Sequence, residues 1–142
     1  MVLSVKEKSL VGIIDTLGNV LVPCKYKYVK SSSNGGYRVV RKNNKYGMLD
    51  KNYTEIIPVI YDEVQSFHND LIGVKKEKWG LVDNTGQEVI AFHIDAIKPT
   101  TAGDRIRVYI EEHDFYLDKN GHCVKNCPNE SILKKYNIRS IE

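Results

Sequence analysis

Four aspartates recur at nearly constant intervals along this chain, and that period constrains its fold more than any other feature. They are Asp15, Asp50, Asp83 and Asp118, spaced 35, 33 and 35 residues apart. Three residues before them stand Gly12, Gly47, Gly80 and Phe115, and three residues after them Gly18, Tyr53, Gly86 and Gly121. The segments LVGIIDTLGNVLVP, KYGMLDKNYTEIIP and KWGLVDNTGQEVIA align around the first three, and HDFYLDKNGHCVKN is a degenerate fourth. A period of this length marks supersecondary units that stack because no single unit can bury its own apolar face.

The rest of the unit repeats as well. VPCKYKYVKS aligns without gaps to IPVIYDEVQS and IAFHIDAIKP, and each is followed by a further apolar run, YRVVRK, LIGVKKE or RIRVYIEE. LSVKEK at the N-terminus matches this last element, so the chain divides into a partial unit (1–9), copy one (10–44), copy two (45–77), copy three (78–112) and a degenerate copy four with a C-terminal cap (113–142), together a single repeat domain. Each copy reads as strand, turn, strand, link, strand, because its apolar runs are short, rich in Val and Ile, and bounded by turn residues. In the Asp-x-x-Gly turn the carboxylate can accept backbone N–H groups, and the glycine supplies a positive φ. Where Tyr53 replaces that glycine, Asn52 is expected to take the left-handed position. Pro23 and Pro58 are expected to end their strands, since proline donates nothing to a ladder. After Cys127, Pro128 and Asn129 are start signals for a short helix carrying Leu133 and Tyr136 on one face. The expected fold is all-β: an antiparallel array of β-hairpin units with about twelve short strands. An open superhelical array is expected in preference to a closed ring in which the N-terminal strand completes the last unit; a β-trefoil would need longer units.

Several positions recur together in a pattern that resembles the WG β-rich repeat family: aromatic-Gly-apolar-apolar-Asp, then Gly, an apolar pair, Pro, and Tyr-Asp-x-Val. Copy three carries Trp79, Gly80, Leu81, Val82 and Asp83, with Gly86, Val89 and Ile90. Copy two carries Tyr46, Gly47, Met48, Leu49 and Asp50, with Ile56, Ile57, Pro58, Tyr61, Asp62 and Val64. Copy one departs with Val11 at the tryptophan place and Lys27 at the second aspartate place, and copy three has Ile94 and Asp95 for Tyr-Asp. The resemblance covers residues 3 to 124. It implies a bacterial repeat scaffold to which no single activity belongs, and so a binding role by default.

Function classes narrow further. A spanning helix needs about 20 apolar residues, and the longest apolar runs here are only a few residues long. The N-terminal MVLSVKEKSL is interrupted by charge and does not read as a secretory signal. With three cysteines, an odd number, the expectation is a cytoplasmic protein with reduced thiols. The repeated aspartates read as turn caps, because a catalytic residue is normally unique. Trp79, Tyr46 and Val11 share one place in the repeat and read as packing residues between units. His113, His122, Cys123 and Cys127 are the candidate zinc set, but they lack a second tight ligand pair, so no metal is expected. His68 and His93 are isolated. Gly35 and Gly36 stand in a Ser/Asn-rich turn with no phosphate-binding loop, and Ser31 to Ser33 read as a loop tip. No catalytic residue and no cofactor is expected.

Charge is unevenly distributed. Between Asp15 and Asp50 the chain carries seven basic residues and no acidic one, whereas the remainder has 14 basic and 18 acidic residues, a net −4. The bases are Lys25, Lys27, Lys30, Arg38, Arg41, Lys42 and Lys45, with Tyr26 and Tyr28 among them as anchors. Alternation along one extended strand would place Lys25, Lys27 and Val29 on one face and both tyrosines on the other. Copy two has Ile60, Asp62 and Gln65 in the places of Lys25, Lys27 and Lys30. The charge thus belongs to copy one and not to the repeat. A lysine-rich face is often only a solvated one. The functional expectation is a non-enzymatic module binding the acidic surface of another intracellular protein, such as a target to be inhibited or an immunity-type partner. Nucleic-acid binding is the alternative, and an enzyme the least favoured class.

Overall fold

The computed structural model describes residues 2–30, 36–66, 71–100 and 105–142; Ser31 to Ser33, Gly35 and His68 fall outside them. The chain is an all-β antiparallel repeat array with one short helix. The first sheet holds β1 (Val2–Glu7), β2 (Leu10–Asp15) and β3 (Val20–Tyr26) in that order. The second is a four-stranded meander of β4 (Tyr28–Val29), β5 (Arg38–Lys42), β6 (Lys45–Leu49) and β7 (Glu55–Tyr61). The third repeats it with β8 (Glu63–Ser66), β9 (Ile72–Lys76), β10 (Lys78–Val82) and β11 (Glu88–Ile94). The fourth has β12 (Ala96–Pro99), β13 (Ile106–Ile110), β14 (His113–Leu117) and β15 (Cys123–Lys125). None of these sheets closes into a barrel.

Fifteen strands are present among the described residues, where about twelve are expected from the sequence. The difference lies in one element. Each run such as VPCKYKYVKS is cut by a single link residue, Lys27, Asp62 or Asp95, and the chain leaves one sheet there and enters the next. A sheet therefore combines the end of one sequence copy with the beginning of the following one. The N-terminal strand β1 pairs with β2 from Val2↔Asp15 to Glu7↔Leu10, within the first sheet.

Two compact parts divide the chain, residues 1–62 and 63–142. In the first, Ile13, Val22 and Tyr26 of one sheet share an apolar cluster with Val40 and Leu49 of the other. In the second, Leu71, Trp79, Leu81, Ile90 and Ile94 meet Ile106, Val108, Ile110, Phe115 and Leu117. Helix α1 (Glu130–Lys135) adds Leu133, with Tyr136 half-buried behind it. Asn129 caps the helix by accepting the Ile132 N–H at 3.0 Å. Beyond the helix the chain returns to β15: Cys123 N–H donates to the Arg139 carbonyl at 2.8 Å, and Ile141 N–H to the Cys123 carbonyl at 2.9 Å. This return covers an edge that would otherwise present unpaired backbone groups.

The four aspartates perform one job. Asp15 Oδ1 accepts from the N–H groups of Leu17 and Asn19, Asp50 Oδ1 from Asn52 and Thr54, Asp83 Oδ1 from Thr85 and Gln87, and Asp118 Oδ1 from Asn120 and His122, all at 2.8–3.0 Å. Three residues on, Gly18, Gly86 and Gly121 have φ of 89°, 88° and 79°. In copy two Tyr53 itself takes the left-handed conformation, at φ 64°, and Asn52 does not. The turn geometry is set by the aspartate two hydrogen bonds at a time, so it overrides the preference of the residue placed there. A Cβ on Gly18 would meet nothing within 4 Å. Gly18→Ala should therefore cost only the backbone penalty, about 1–2 kcal/mol. A urea melt showing no loss would mean that this turn tolerates a Cβ freely.

Pro23 and Pro58 do not end their strands. They lie inside β3 and β7, at irregularities where three residues face one. Val11 pairs with Tyr26 and Ile13 with Val22, so Pro23, Cys24 and Lys25 all stand opposite Gly12. A bulge leaves ladder positions unpaired, which is where a residue without an N–H is tolerated.

Candidate functional site

The basic residues of copy one come together through the short pairing of β4 with β5. Tyr28 pairs with Arg41 and Val29 with Val40. On either side of these pairs, Lys27 N–H donates to the Arg41 carbonyl at 2.8 Å and Lys30 N–H to the Val39 carbonyl at 2.9 Å. Arg38 Nη1 reaches the Lys30 carbonyl at 3.3 Å. Lys27, Tyr28 and Lys30 thus lie on β4 and its flanks and Arg38, Arg41 and Lys42 on the adjacent β5, where alternation turns Arg38 and Arg41 to opposite faces. Lys25 lies one sheet earlier, on β3, with its Nζ 5.3 Å from the Tyr26 ring centre.

The two tyrosines have different fates. Tyr28 is 46% exposed, with the Arg41 guanidinium 5.9 Å from its ring centre. Tyr26 is only 2% exposed and belongs to the apolar cluster of the first part, so it is not available as a contact anchor. Burial, followed by the charge of Glu55, pushes its hydroxyl up to about 12. The alternation argument fails here because Lys25 to Val29 is not one strand: the link at Lys27 separates β3 from β4.

Ion pairing is sparse among the bases between Asp15 and Asp50. Lys45 Nζ meets Asp62 Oδ1 at 2.5 Å. Lys25, Lys27, Lys30, Arg38, Arg41 and Lys42 have no acidic partner among the described residues. In the second part Lys78 is matched with Asp95 at 3.0 Å, Lys135 with Glu111 at 2.6 Å, Lys134 with Glu130 at 3.0 Å, and Arg107 with Asp114, while Lys119, Lys125 and Arg139 pair with no acid among the described residues. The Lys78 hydrogen bond, with the Glu111 N–H behind it, holds the Asp95 carboxyl below the usual carboxylate range.

A pocket of about 430 Å³ opens beside this surface, lined by Leu10, Lys27, Arg41, Lys42, Asn43 and Asn44. Leu10, Asn43 and Asn44 are not among the site residues expected from the sequence. A signal is present, since Leu10 aligns with Lys45 and Lys78, two residues before the repeated glycine. Asn43 and Asn44 form the β5–β6 hairpin loop, both at positive φ (52° and 63°), which suits an asparagine pair in a type I′ turn.

The cysteines differ from the expectation of reduced thiols. Cys123 and Cys127 form a disulfide with their Cα atoms 5.8 Å apart, and Cys24 is free. The end of β15 and the turn after it bring the two Cβ atoms into bonding reach, which spacing alone could not establish. Both sulfurs are thereby committed, and the candidate zinc set forms no ligand cluster among the described residues. His122 Nδ1 instead lies 4.0 Å from Asp118 Oδ2, and His93 stacks at a tilt on Tyr136, 5.0 Å between ring centres.

No helix is long and apolar enough to cross a membrane among the described residues. The family model for the WG-containing repeat matches the chain three times in succession, over residues 12–46, 46–78 and 79–112. No curated protein matches it.

Proposed function

The chain belongs to the WG-containing repeat family, and from that premise we propose that it is a non-enzymatic module binding an acidic surface of another protein through copy one. One observation carries the reading: six of the seven bases between Asp15 and Asp50 lack an acidic partner among the described residues, in a stretch that itself contains no acid. Unmatched charge of one sign within one stretch of the chain attracts a surface of opposite sign and speeds encounter with it. Screening acts over about 8 Å at physiological salt, so the acids of other copies cancel this field poorly at contact range. A non-enzymatic role is supported by the four aspartates, whose carboxylates are engaged in capping turns. A bacterial scaffold that inhibits or neutralises its partner is the specific form of this proposal.

The test is binding of the partner recovered from host lysate to the wild type and to Lys25→Glu/Lys27→Glu/Arg41→Glu. The reversal should weaken binding by more than about tenfold, as expected for desolvated charged contacts, with the melting midpoint little changed. Unchanged affinity would overturn the reading. The exposed Tyr28 beside Arg41 favours nucleic acid as the second reading, because ring and guanidinium together make a base-stacking platform. Tighter binding to a single-stranded oligonucleotide than to the protein, with a steep salt dependence, would select it. Cytoplasmic placement is part of the proposal, and the disulfide provides its check. A reducing cytosol opposes the Cys123–Cys127 disulfide, so finding that bond intact on alkylation of freshly lysed cells would count against cytoplasmic placement.

A further inference from the structure

The links between successive sheets carry a small repeated device, and copy one lacks both of its members. At the third link the Asp95 carboxylate joins two donors. Lys78 Nζ, at the start of β10 in the sheet being left, lies 3.0 Å from Oδ1. Glu111 N–H, in the hairpin of the sheet being entered, donates to Oδ2 at 3.2 Å. The second link repeats the ion pair with Asp62 and Lys45. The first link has Lys27 at the aspartate place and Leu10 at the lysine place. Backbone register fixes the correspondence. Lys27 N–H donates to the Arg41 carbonyl as Asp95 N–H does to that of Tyr109, each at 2.8 Å. Two residues beyond these acceptors, Asn43 holds the place of Glu111, and the hairpin loops match in conformation, with φ of 52° and 63° against 48° and 69°.

The position filled by a carboxylate at Asp95 is therefore bordered at the first link by three cations, Lys27, Arg41 and Lys42, and by the Asn43–Asn44 hairpin. These same residues, with Leu10, line the pocket of about 430 Å³. None of the three cations has an acidic partner among the described residues.

We infer that this pocket receives a glutamate or aspartate side chain from the partner protein, which supplies in trans the carboxylate that the other links supply in cis. The inference rests on the proposed protein-binding role of copy one. Arg41 presents a planar fork suited to two carboxylate oxygens. Lys27 and Lys42 offer point charges whose mutual repulsion an incoming carboxylate relieves. Leu10 gives the acid's methylene groups an apolar wall.

The experiment restores the internal pair. Leu10→Lys/Lys27→Asp rebuilds the Lys–Asp arrangement of the other links and lowers the net charge by one. Lys119→Ala, in the exposed Asp118 turn, lowers it by one as well and lies outside copy one. Each is titrated with a short capped oligoglutamate peptide and with a thymidine oligonucleotide of equal charge, followed by backbone amide shifts. Wild type should bind the peptide with shifts at Asn43 and Asn44. The paired variant should bind it at least about tenfold more weakly, the loss typical of charge-assisted contacts, while Lys119→Ala binds as wild type does. Lys27→Asp alone should also lose binding, which covers the case in which the substitution at Leu10 disturbs β2. The pocket assignment falls alone if the paired variant keeps its affinity while Lys25→Glu/Lys27→Glu/Arg41→Glu loses the recovered partner. Both readings fall if that reversal leaves the partner bound as well. Absence of peptide binding by wild type, equal loss in Lys119→Ala, or preferential binding of the oligonucleotide in the pocket each overturns the carboxylate assignment.

Discussion

Replacing Trp79 with alanine should cost about 3–5 kcal/mol, the range for truncating a large ring in a packed interior. Trp79 is 9% exposed and sits in the cluster of the second part with Leu81, Ile90 and Ile94, which are 3% exposed or less. It stands in the middle of its sheet, paired with Lys75 on one side and Ile94 on the other, and Lys75 Nζ lies 5.7 Å from its ring centre. Removing the indole would open a cavity between neighbours already held by two ladders, so they could collapse into it only partly. The same place in the repeat holds Tyr46 and Val11, both only half-buried. The expected order of loss in urea melts followed by circular dichroism is Trp79→Ala, then Tyr46→Ala, then Val11→Ala. A loss below about 1 kcal/mol at Trp79 would be too small for a packed ring and would make it a surface group.

The second large effect is expected at the repeated glycine. A Cβ on Gly12 would lie 2.4 Å from the Val22 carbonyl oxygen and 2.8 Å from Cys24 N, and one on Gly47 2.5 Å from the Ile57 carbonyl oxygen. These are backbone atoms, which a rotamer change cannot move. The cause is the bulge that carries Pro23 and Pro58: three residues opposite one swing the backbone of β3 and β7 across the glycine. Gly12→Ala and Gly47→Ala should each destabilise by about 1–3 kcal/mol or more, as overpacking does. Gly80 differs, since its nearest neighbours would be the Ile90 carbonyl oxygen at 3.1 Å and the Phe92 ring at 3.2 Å. A ring can give, so Gly80→Ala should cost less than either. Gly80 faces the same three-against-one irregularity, so equal losses at all three positions would show that the closer backbone approach at Gly12 and Gly47 adds no cost.

Much of the fold is legible in the sequence. The period, the aspartate turns, the strand content and the C-terminal helix are local or periodic, and each rests on contacts between residues near in sequence. Asp15 reaches only to Leu17 and Asn19, and Asn129 only to Ile132. The basic composition of copy one is equally legible, because charge is counted from the sequence. Its arrangement is not. Lys27, Arg41 and Lys42 share a pocket with Leu10 and the Asn43–Asn44 hairpin only because the chain changes sheets at Lys27.

How often the unit repeats and where its turns fall follow from the order of residues alone, whereas where one sheet ends and the next begins is set by packing in three dimensions. A period defines spacing but carries no phase, so copies beginning at Leu10 and sheets beginning at Tyr28 fit the same repeat. One link residue then resets the alternation of faces. That reset buries Tyr26 while leaving Tyr28 exposed, and it turns an aligned leucine and lysine into the wall and the charge of a single pocket.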